Sequence, residues 1–188
     1  MDFAPASLSS CVLEANVASD GSALAANNAA EAILVATCIQ ANQTGTGSVL
    51  TSNDASPSYT NCTIVANIGG AAIFGLRSSG SRVERCIVGL NTAPAFECGA
   101  SSTPWVGCNI LWANGSNAIC SGDQSTNRVV DPFFCNPGHG DFQIAANSPA
   151  ASGTCGQLGA YPVACAAQGV ETAVQAANWT FVKQLYRH

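Results

Sequence analysis

Charged side chains are scarce in this sequence of 188 residues. Asp, Glu, Lys and Arg make up 9% of the chain, with six basic against eleven acidic residues, whereas an ordinary globular domain has about 25%. No basic patch or arginine-rich run is present, which argues against binding to nucleic acid. A surface with so few charges offers little electrostatic resistance to association, so we expect it to contact other surfaces.

Apolar segments of membrane length and the features of a leader peptide are also absent from the sequence. No apolar run approaches the roughly 18 residues that a membrane span needs. The start, Met-Asp-Phe-Ala-Pro, has neither the basic segment nor the apolar core of a signal peptide. We therefore expect that a leader has been removed or that the sequence is a fragment of a longer chain.

Cysteines, in contrast, are abundant, and no two of them are close together. Ten cysteines are too many for a reducing cytosol unless they bind metal or lie inert in a core. Zinc sites almost always contain a C-x₂₋₄-C pair, and here the closest cysteines are ten residues apart. Disulfides, buried thiols or a mixture of both are left. The sequence therefore predicts a secreted or cell-surface protein without a metal or cofactor.

One pattern recurs along the chain and carries the fold prediction. Five short apolar segments each begin with a cysteine and end with an asparagine, and the asparagines are 26, 25, 24 and 23 residues apart. A Gly/Ser-rich turn follows each asparagine, and then a small residue precedes a large apolar one. The cysteines are Cys11, Cys38, Cys62, Cys86 and Cys108, and the asparagines are Asn16, Asn42, Asn67, Asn91 and Asn114.

A period near 24 residues with two short strand signals fits one coil of a solenoid and leaves no room for long helices. Successive coils stack about 4.8 Å apart. We expect each asparagine to adopt the left-handed conformation of a sharp corner and to hydrogen-bond to the asparagine of the next coil. We expect the cysteines to face inward as small apolar side chains. The sequence therefore predicts an all-β, right-handed parallel β-helix of about five to six coils over residues 1–130.

From Asp131 to Cys165 the pattern changes to a Pro/Gly-rich segment. Its motifs D-P-x-F-C-x-P, G-D-F-x-I, S-P-A and C-G-x-x-G-A resemble the terminal coil of secreted bacterial right-handed β-helix proteins of the pectin-lyase-like superfold. The resemblance is close over residues 131–165 and extends to the preceding coils by pattern only. It implies a terminal coil with a cap and an extracellular setting, and it implies no reaction.

Residues 166–188 form a small-residue linker followed by an aromatic tail. The spacing of Trp179, Val182 and Tyr186 suits one face of a short helix, and alternation over residues 170–176 suits a strand equally well. We expect the large apolar groups of the tail to dock on another copy of the chain; docking on its own solenoid is the alternative. These anchors are Trp179, Phe181, Val182, Leu185 and Tyr186.

Few residues are candidates for catalysis. Gly138-His139-Gly140 resembles a motif of polygalacturonases, which share this superfold, but the companion motifs that supply the carboxyl groups of an inverting hydrolase are missing. The densest charge group lies in residues 77–85, which we interpret as a solvated turn with weak ion pairs. The acidic residues are scattered and do not form the clusters that bind calcium. We therefore name no catalytic or metal-binding residue.

The sequence does not determine the disulfide pairing, although two pairs are favoured. Cys98 and Cys120 have nearly the same phase in consecutive coils, where Cα atoms about 4.8 Å apart lie within disulfide range. Cys155 and Cys165 close a short loop in the terminal segment.

Together these features predict a non-catalytic extracellular structural protein that assembles with copies of itself into a filament or surface layer. A parallel solenoid ends in unpaired strand edges that invite another chain, and the tail supplies apolar anchors. The alternative is a β-helix that binds or cleaves extracellular polysaccharide. Trp105 and Trp112 are the two aromatic platforms for sugar stacking within the coils.

Overall fold

The computed structural model describes residues 6–169. These residues form an all-β solenoid of stacked parallel strands, which confirms the predicted class; it has about seven turns, slightly more than the five to six expected. The helical content of this range is a single 3₁₀ turn, Pro137–His139. Within residues 6–169 the structure contains no helix long and apolar enough to cross a membrane.

Each full coil contains three main strands rather than two, and equivalent strands form three parallel sheets. Sheet 1 is the one that the repeat pattern did not reveal. Its middle residues stack inside the solenoid, while their neighbours are often small or polar, so each strand leaves a very short apolar signal. The strands of sheet 1 are β1 (Ala6–Ser9), β5 (Ala32–Val35), β9 (Ser58–Thr60), β12 (Arg82–Glu84) and β15 (Trp105–Gly107).

Sheet 2 is formed by the segments between the recurrent cysteine and asparagine. Its inner column is aliphatic throughout and includes Ile39, Ile64 and Val88, all of which are fully buried. Burying one such side chain contributes roughly 1.5–3 kcal/mol. The strands are β2 (Val12–Glu14), β6 (Cys38–Gln40), β10 (Thr63–Val65), β13 (Ile87–Gly89) and β16 (Ile110–Trp112).

Sheet 3 follows the Gly/Ser-rich turn, and a short pair of strands, β3 (Val17–Ala18) and β7 (Gln43–Thr44), precedes it. Phe74 and Phe96 stack in the interior with ring centroids 4.9 Å apart, and Tyr59 meets Phe74 edge-on at 5.1 Å. The strands of sheet 3 are β4 (Leu24–Asn27), β8 (Leu50–Asn53), β11 (Phe74–Arg77) and β14 (Phe96–Cys98).

Three corners turn each coil, and at most of these corners a residue other than glycine has a positive φ. The expectation that the ladder asparagines adopt this conformation is wrong, because the residue before each of them does so. The asparagine side chain is then free to point into the corner and bond to neighbouring coils. The left-handed residues before the asparagines are Ala15, Ala41, Ala66, Leu90 and Ala113, those after sheet 1 are Ser10, Ala36, Asn61, Arg85 and Cys108, and those after sheet 3 include Asn28, Asp54 and Ser78.

The segment expected to be a terminal coil packs against the side of the solenoid. Its strands β17 (Phe134–Asn136), β18 (Asp141–Ala145) and β19 (Val163–Cys165) form their own sheet and pair with none of sheets 1–3. Apolar side chains of this segment bury the outer face of sheet 2, where they form a second core. The reason is that the outer face of sheet 2 is apolar in its later coils, at Val65, Ile87 and Ile110. This second core consists of Val65, Ile87, Ile110, Phe134, Phe142, Ile144, Ala150 and Leu158.

Candidate functional site

The predicted hydrogen bonds between successive asparagines are present and form a continuous ladder. The backbone N–H and the Nδ2 of Asn42 donate to the Oδ1 of Asn67 at 2.9 and 3.0 Å, and Nδ2 also donates to the Leu13 carbonyl of the preceding coil at 2.9 Å. Asn67 repeats the arrangement with Asn91. Each of the three inner ladder asparagines, Asn42, Asn67 and Asn91, therefore joins three coils, and all three are buried.

The ladder has a direction, and its two ends differ. In the bonds between asparagines, each amide Nδ2 donates to the Oδ1 of the asparagine in the next coil toward the C-terminus. At the last coil Asn114 donates to Asn117 at 2.8 Å, so a residue only three positions away occupies the place of the next coil's asparagine. At the first coil Asn16 donates to Asn42, but within residues 6–169 no donor reaches the Oδ1 of Asn16.

A second polar column lies at the corner between sheets 1 and 2. The predicted cysteine ladder is only partly this column, because Cys38 is in register with Thr63 and Val12, and Cys108 lies one position before the column. Their places are taken by Thr37 and Asn109. The column consists of Cys11, Thr37, Cys62, Cys86 and Asn109, and Asn127 ends it.

In this column a thiol performs the same hydrogen-bonding role as an asparagine amide. The Cys86 thiol accepts the Cys62 N–H at 3.4 Å and donates to the Tyr59 carbonyl at 3.5 Å. Asn109 accepts the Cys86 N–H at 2.8 Å and donates to the Val83 carbonyl at 2.9 Å. The cysteines therefore donate hydrogen bonds at the corner in addition to filling apolar space. The sequence signal for this role was Asn109, which directly follows the recurrent cysteine Cys108 and occupies the corner position in its place.

Burial favours the protonated form of two of the free thiols, Cys38 and Cys86. Burial raises the pKa of Cys38 to about 11 and raises the pKa of Cys86 well above the ordinary value. Cys38, Cys62 and Cys86 are buried, whereas Cys11 in the first coil is half-buried. Cys11 is therefore the accessible one of the four free thiols.

Three disulfides join the remaining six cysteines. The favoured pair Cys98–Cys120 is present, with Cα atoms 5.8 Å apart. The expected Cys155–Cys165 bond is replaced by Cys108–Cys155 and Cys135–Cys165, with Cα separations of 5.7 and 5.9 Å. The terminal segment packs against the side of the solenoid. Cys155 therefore lies beside the corner residue Cys108 and not beside Cys165.

No family model, curated protein or solved structure matches this chain.

The candidates for catalysis do not converge in the structure. His139 is exposed, and its Nδ1 lies 3.0 Å from the Asn136 side-chain oxygen. Within residues 6–169, no three His, Cys, Asp or Glu side chains form a group that could hold a metal ion. Arg82 and Glu84 lie on a strand of sheet 1 and not in a turn. They form an ion pair of 2.9 Å, and the Arg82 guanidinium lies 4.0 Å from the centroid of the Trp105 ring.

The other tryptophan of the coils borders a cavity of about 230 Å³ between sheet 2 and the terminal segment. Asp131, Asn136 and Gln168 contribute polar groups to the same cavity, and Trp112 itself is half-buried. An aromatic ring beside carboxylate and amide groups is a combination suited to binding a small polar ligand.

The predicted assembly tail lies outside the described residues. This holds for all of its named anchors, which are Trp179, Phe181, Val182, Leu185 and Tyr186. The last described residues do contact the terminal segment 131–165. Gln168 exchanges two hydrogen bonds of 2.8 Å with Asn147, and its side chain donates to the Phe134 carbonyl. The tail therefore starts from a fixed point beside β17.

Proposed function

We propose that this chain is an extracellular structural protein that assembles with copies of itself through the solenoid ends and the C-terminal tail. Three disulfides suit an oxidising compartment. The low content of charged residues removes much of the repulsion that keeps proteins apart. The observation that carries the proposal is a difference between the two ends of the described range 6–169: residues 116–128 form bridges to the last strand layer, whereas β1, β2 and β4 lie at the edges of their sheets.

The test of assembly combines negative-stain electron microscopy with sedimentation velocity of the purified, oxidised protein. We expect filaments or sheets whose repeat reflects the length of the solenoid. Particles that remain single over the accessible concentration range would overturn the proposal.

A deletion variant tests the role of the tail. The deletion should begin at residue 170, because Gln168 is hydrogen-bonded to Asn147 and Phe134 and its loss would disturb the terminal segment 131–165. We expect the variant lacking residues 170–188 to keep the circular-dichroism spectrum and melting temperature of the full chain but to form no filaments. Filaments that survive the deletion would show that the tail is not required.

The second candidate function is binding of an extracellular polysaccharide, and the cavity beside Trp112 is the observation that favours it. Stacking of a sugar ring on an aromatic side chain, with a carboxylate and amides to orient it, is the chemistry this lining would supply. Screening the protein on a polysaccharide array, and then titrating the Trp112→Ala and Trp105→Ala variants with any polymer that binds, tests this second function. Binding that is lost in Trp112→Ala and retained in Trp105→Ala would support it, and absence of binding to every polymer would remove it.

A further inference from the structure

A cavity of about 260 Å³ lies at the Cys108–Cys155 disulfide, where the last coil meets the terminal segment. It shares no lining residue with the cavity beside Trp112. Ligand pockets usually measure roughly 300–1,000 Å³, so this cavity suits a small group. Its polar side chains are Ser125, Thr126, Arg128 and Thr154.

The walls of this cavity are fixed by contacts to the solenoid. The main chain of Arg128 forms an isolated parallel bridge with Ile110. The hydroxyl of Thr126 accepts the Cys108 N–H at 2.8 Å. The opposite wall, residues 153–155, is held to the same corner by the disulfide. The polar groups are therefore positioned before any ligand arrives, which lowers the cost of binding.

Arg128 gives the cavity a positive charge that no acidic side chain neutralises. Within residues 6–169 no carboxylate lies at ion-pair distance from Arg128. The two acids nearest in sequence do not line the cavity. Asp123 accepts two hydrogen bonds within its own turn, and Asp131 accepts the Phe133 N–H and borders the cavity beside Trp112. A concave site of one sign concentrates ions of the opposite sign.

The same lining is rich in hydrogen-bond donors that the fold does not use. A guanidinium has five N–H groups, and that of Arg128 donates to the Pro149 carbonyl at 2.6 Å. The Thr126 hydroxyl accepts a backbone N–H and keeps its own hydrogen to donate. Among the described residues, the hydroxyls of Ser125 and Thr154 bond to no other residue. Unused donors around an unpaired cation favour a ligand that carries acceptor oxygens and negative charge.

We propose that this cavity, which we call the Arg128 cavity, binds an oxyanion: a sulfate or carboxylate group, free or attached to an acidic polysaccharide. The planar fork of a guanidinium matches two oxygens of such a group, and the hydroxyls of Ser125, Thr126 and Thr154 supply further donors. The site goes beyond self-assembly and does not depend on it, because one chain provides every lining residue.

Equilibrium dialysis of the full, oxidised chain against radiolabelled sulfate and radiolabelled glucuronate tests the site. Chloride keeps the ionic strength constant, so that unspecific attraction is the same throughout. We expect saturable binding of one anion per chain, and an affinity about tenfold or more lower in Arg128→Gln. Arg77→Gln removes the same charge at another exposed position and should bind like the parent. Equal affinities in the two variants, or no saturable binding of either anion, would overturn the proposal.

A second variant separates binding from local structure, because Arg128→Gln also removes the hydrogen bond to Pro149. Ser125→Ala combined with Thr154→Val leaves Arg128 in place and removes two donors. It should keep the circular-dichroism spectrum of the parent and bind the anion about threefold or more weakly. An unchanged affinity would overturn the built site, since a bare charge would then account for the binding.

Competition identifies the source of the oxyanion. Dextran sulfate and hyaluronan are added to the dialysis as a sulfated and a carboxylated polymer. Displacement of the labelled anion that depends on Arg128 would support the site and assign the ligand to the polymer that displaces it. Saturable, Arg128-dependent binding that neither polymer displaces would support a site for a free anion. None of these results decides self-assembly, which microscopy and sedimentation test separately.

Discussion

At the residue scale, one buried asparagine at the corner after sheet 2 holds three coils together. Asn67 is completely buried, accepts two hydrogen bonds from Asn42, and donates to Asn91 and to the Ile39 carbonyl. Such bonds contribute modestly when made, but a buried partner left without one costs about 1–3 kcal/mol. Replacing a corner asparagine therefore destabilises the fold mainly because its buried hydrogen-bond partners are left without a donor or acceptor.

Asn67→Ala should lower the free energy of unfolding by about 2–4 kcal/mol, because it leaves buried groups of Asn42 and Ile39 unpaired. Asn16→Ala is the matched control at the exposed end of the same ladder, where water can replace the lost bonds, and it should cost less than about 1 kcal/mol. Urea denaturation of both variants measures the difference. Equal losses would mean that the ladder contributes little beyond filling space.

Stability should also depend on pH through Cys38. Its pKa is raised from 9.0 to about 11 by burial, so the folded chain holds the proton more tightly than the unfolded chain. The corresponding stability is fully present below pH 9 and is lost as the pH rises toward 11. Denaturation at several values in this range, with Cys11 alkylated to prevent disulfide exchange, should show a decline that is shallower in Cys38→Ala. An unchanged slope in that variant would contradict this assignment.

At the scale of elements, the terminal segment 131–165 covers the outer face of sheet 2. The Cys108–Cys155 disulfide joins it to a corner of the solenoid, and the Gly159 and Ala160 amides donate to the Arg85 carbonyl and the Thr63 hydroxyl at 2.8 and 2.9 Å. Removing the terminal segment would expose the apolar part of the outer face of sheet 2. Its attachment therefore keeps this apolar face out of water.

Replacing both Cys108 and Cys155 by alanine should release this segment locally before the solenoid unfolds. Hydrogen exchange at the amides of Gly159 and Ala160 should accelerate by about tenfold or more, while the amide of Ile87 inside sheet 2 should change little. The paired replacement of Cys98 and Cys120 is the control, since that bond lies in the coils. Uniform acceleration across all three sheets would show that segment and solenoid unfold as one unit.

At the scale of the whole molecule, association should respond to net charge. The formal charge is −5 at pH 7 and the isoelectric point is about 4.7, so acidification toward that pH removes the remaining repulsion between copies. Static light scattering should therefore show larger assemblies at pH 5 than at pH 7, reversibly and with unchanged circular dichroism. Scattering that is independent of pH would show that net charge does not limit association.

The sequence by itself determined the class of fold and one of the two polar columns. The near-constant spacing of the asparagines required a stack of similar coils, and stacking is enough to place their amides in contact. The Cys98–Cys120 pair followed from the same periodicity. These features depend on relations between neighbouring coils, which a linear period describes directly.

Tertiary structure alone decided the features that depend on exact register or on contacts far apart in the chain. A one-residue shift put Thr37 and Asn109 in the corner column instead of Cys38 and Cys108, and both types of side chain can form its hydrogen bonds. The partner of Cys155 depended on the terminal segment folding back over sheet 2, because burial of that sheet's apolar outer face outweighs stacking one more coil. Periodicity contains no information about either choice, since neither is repeated from coil to coil.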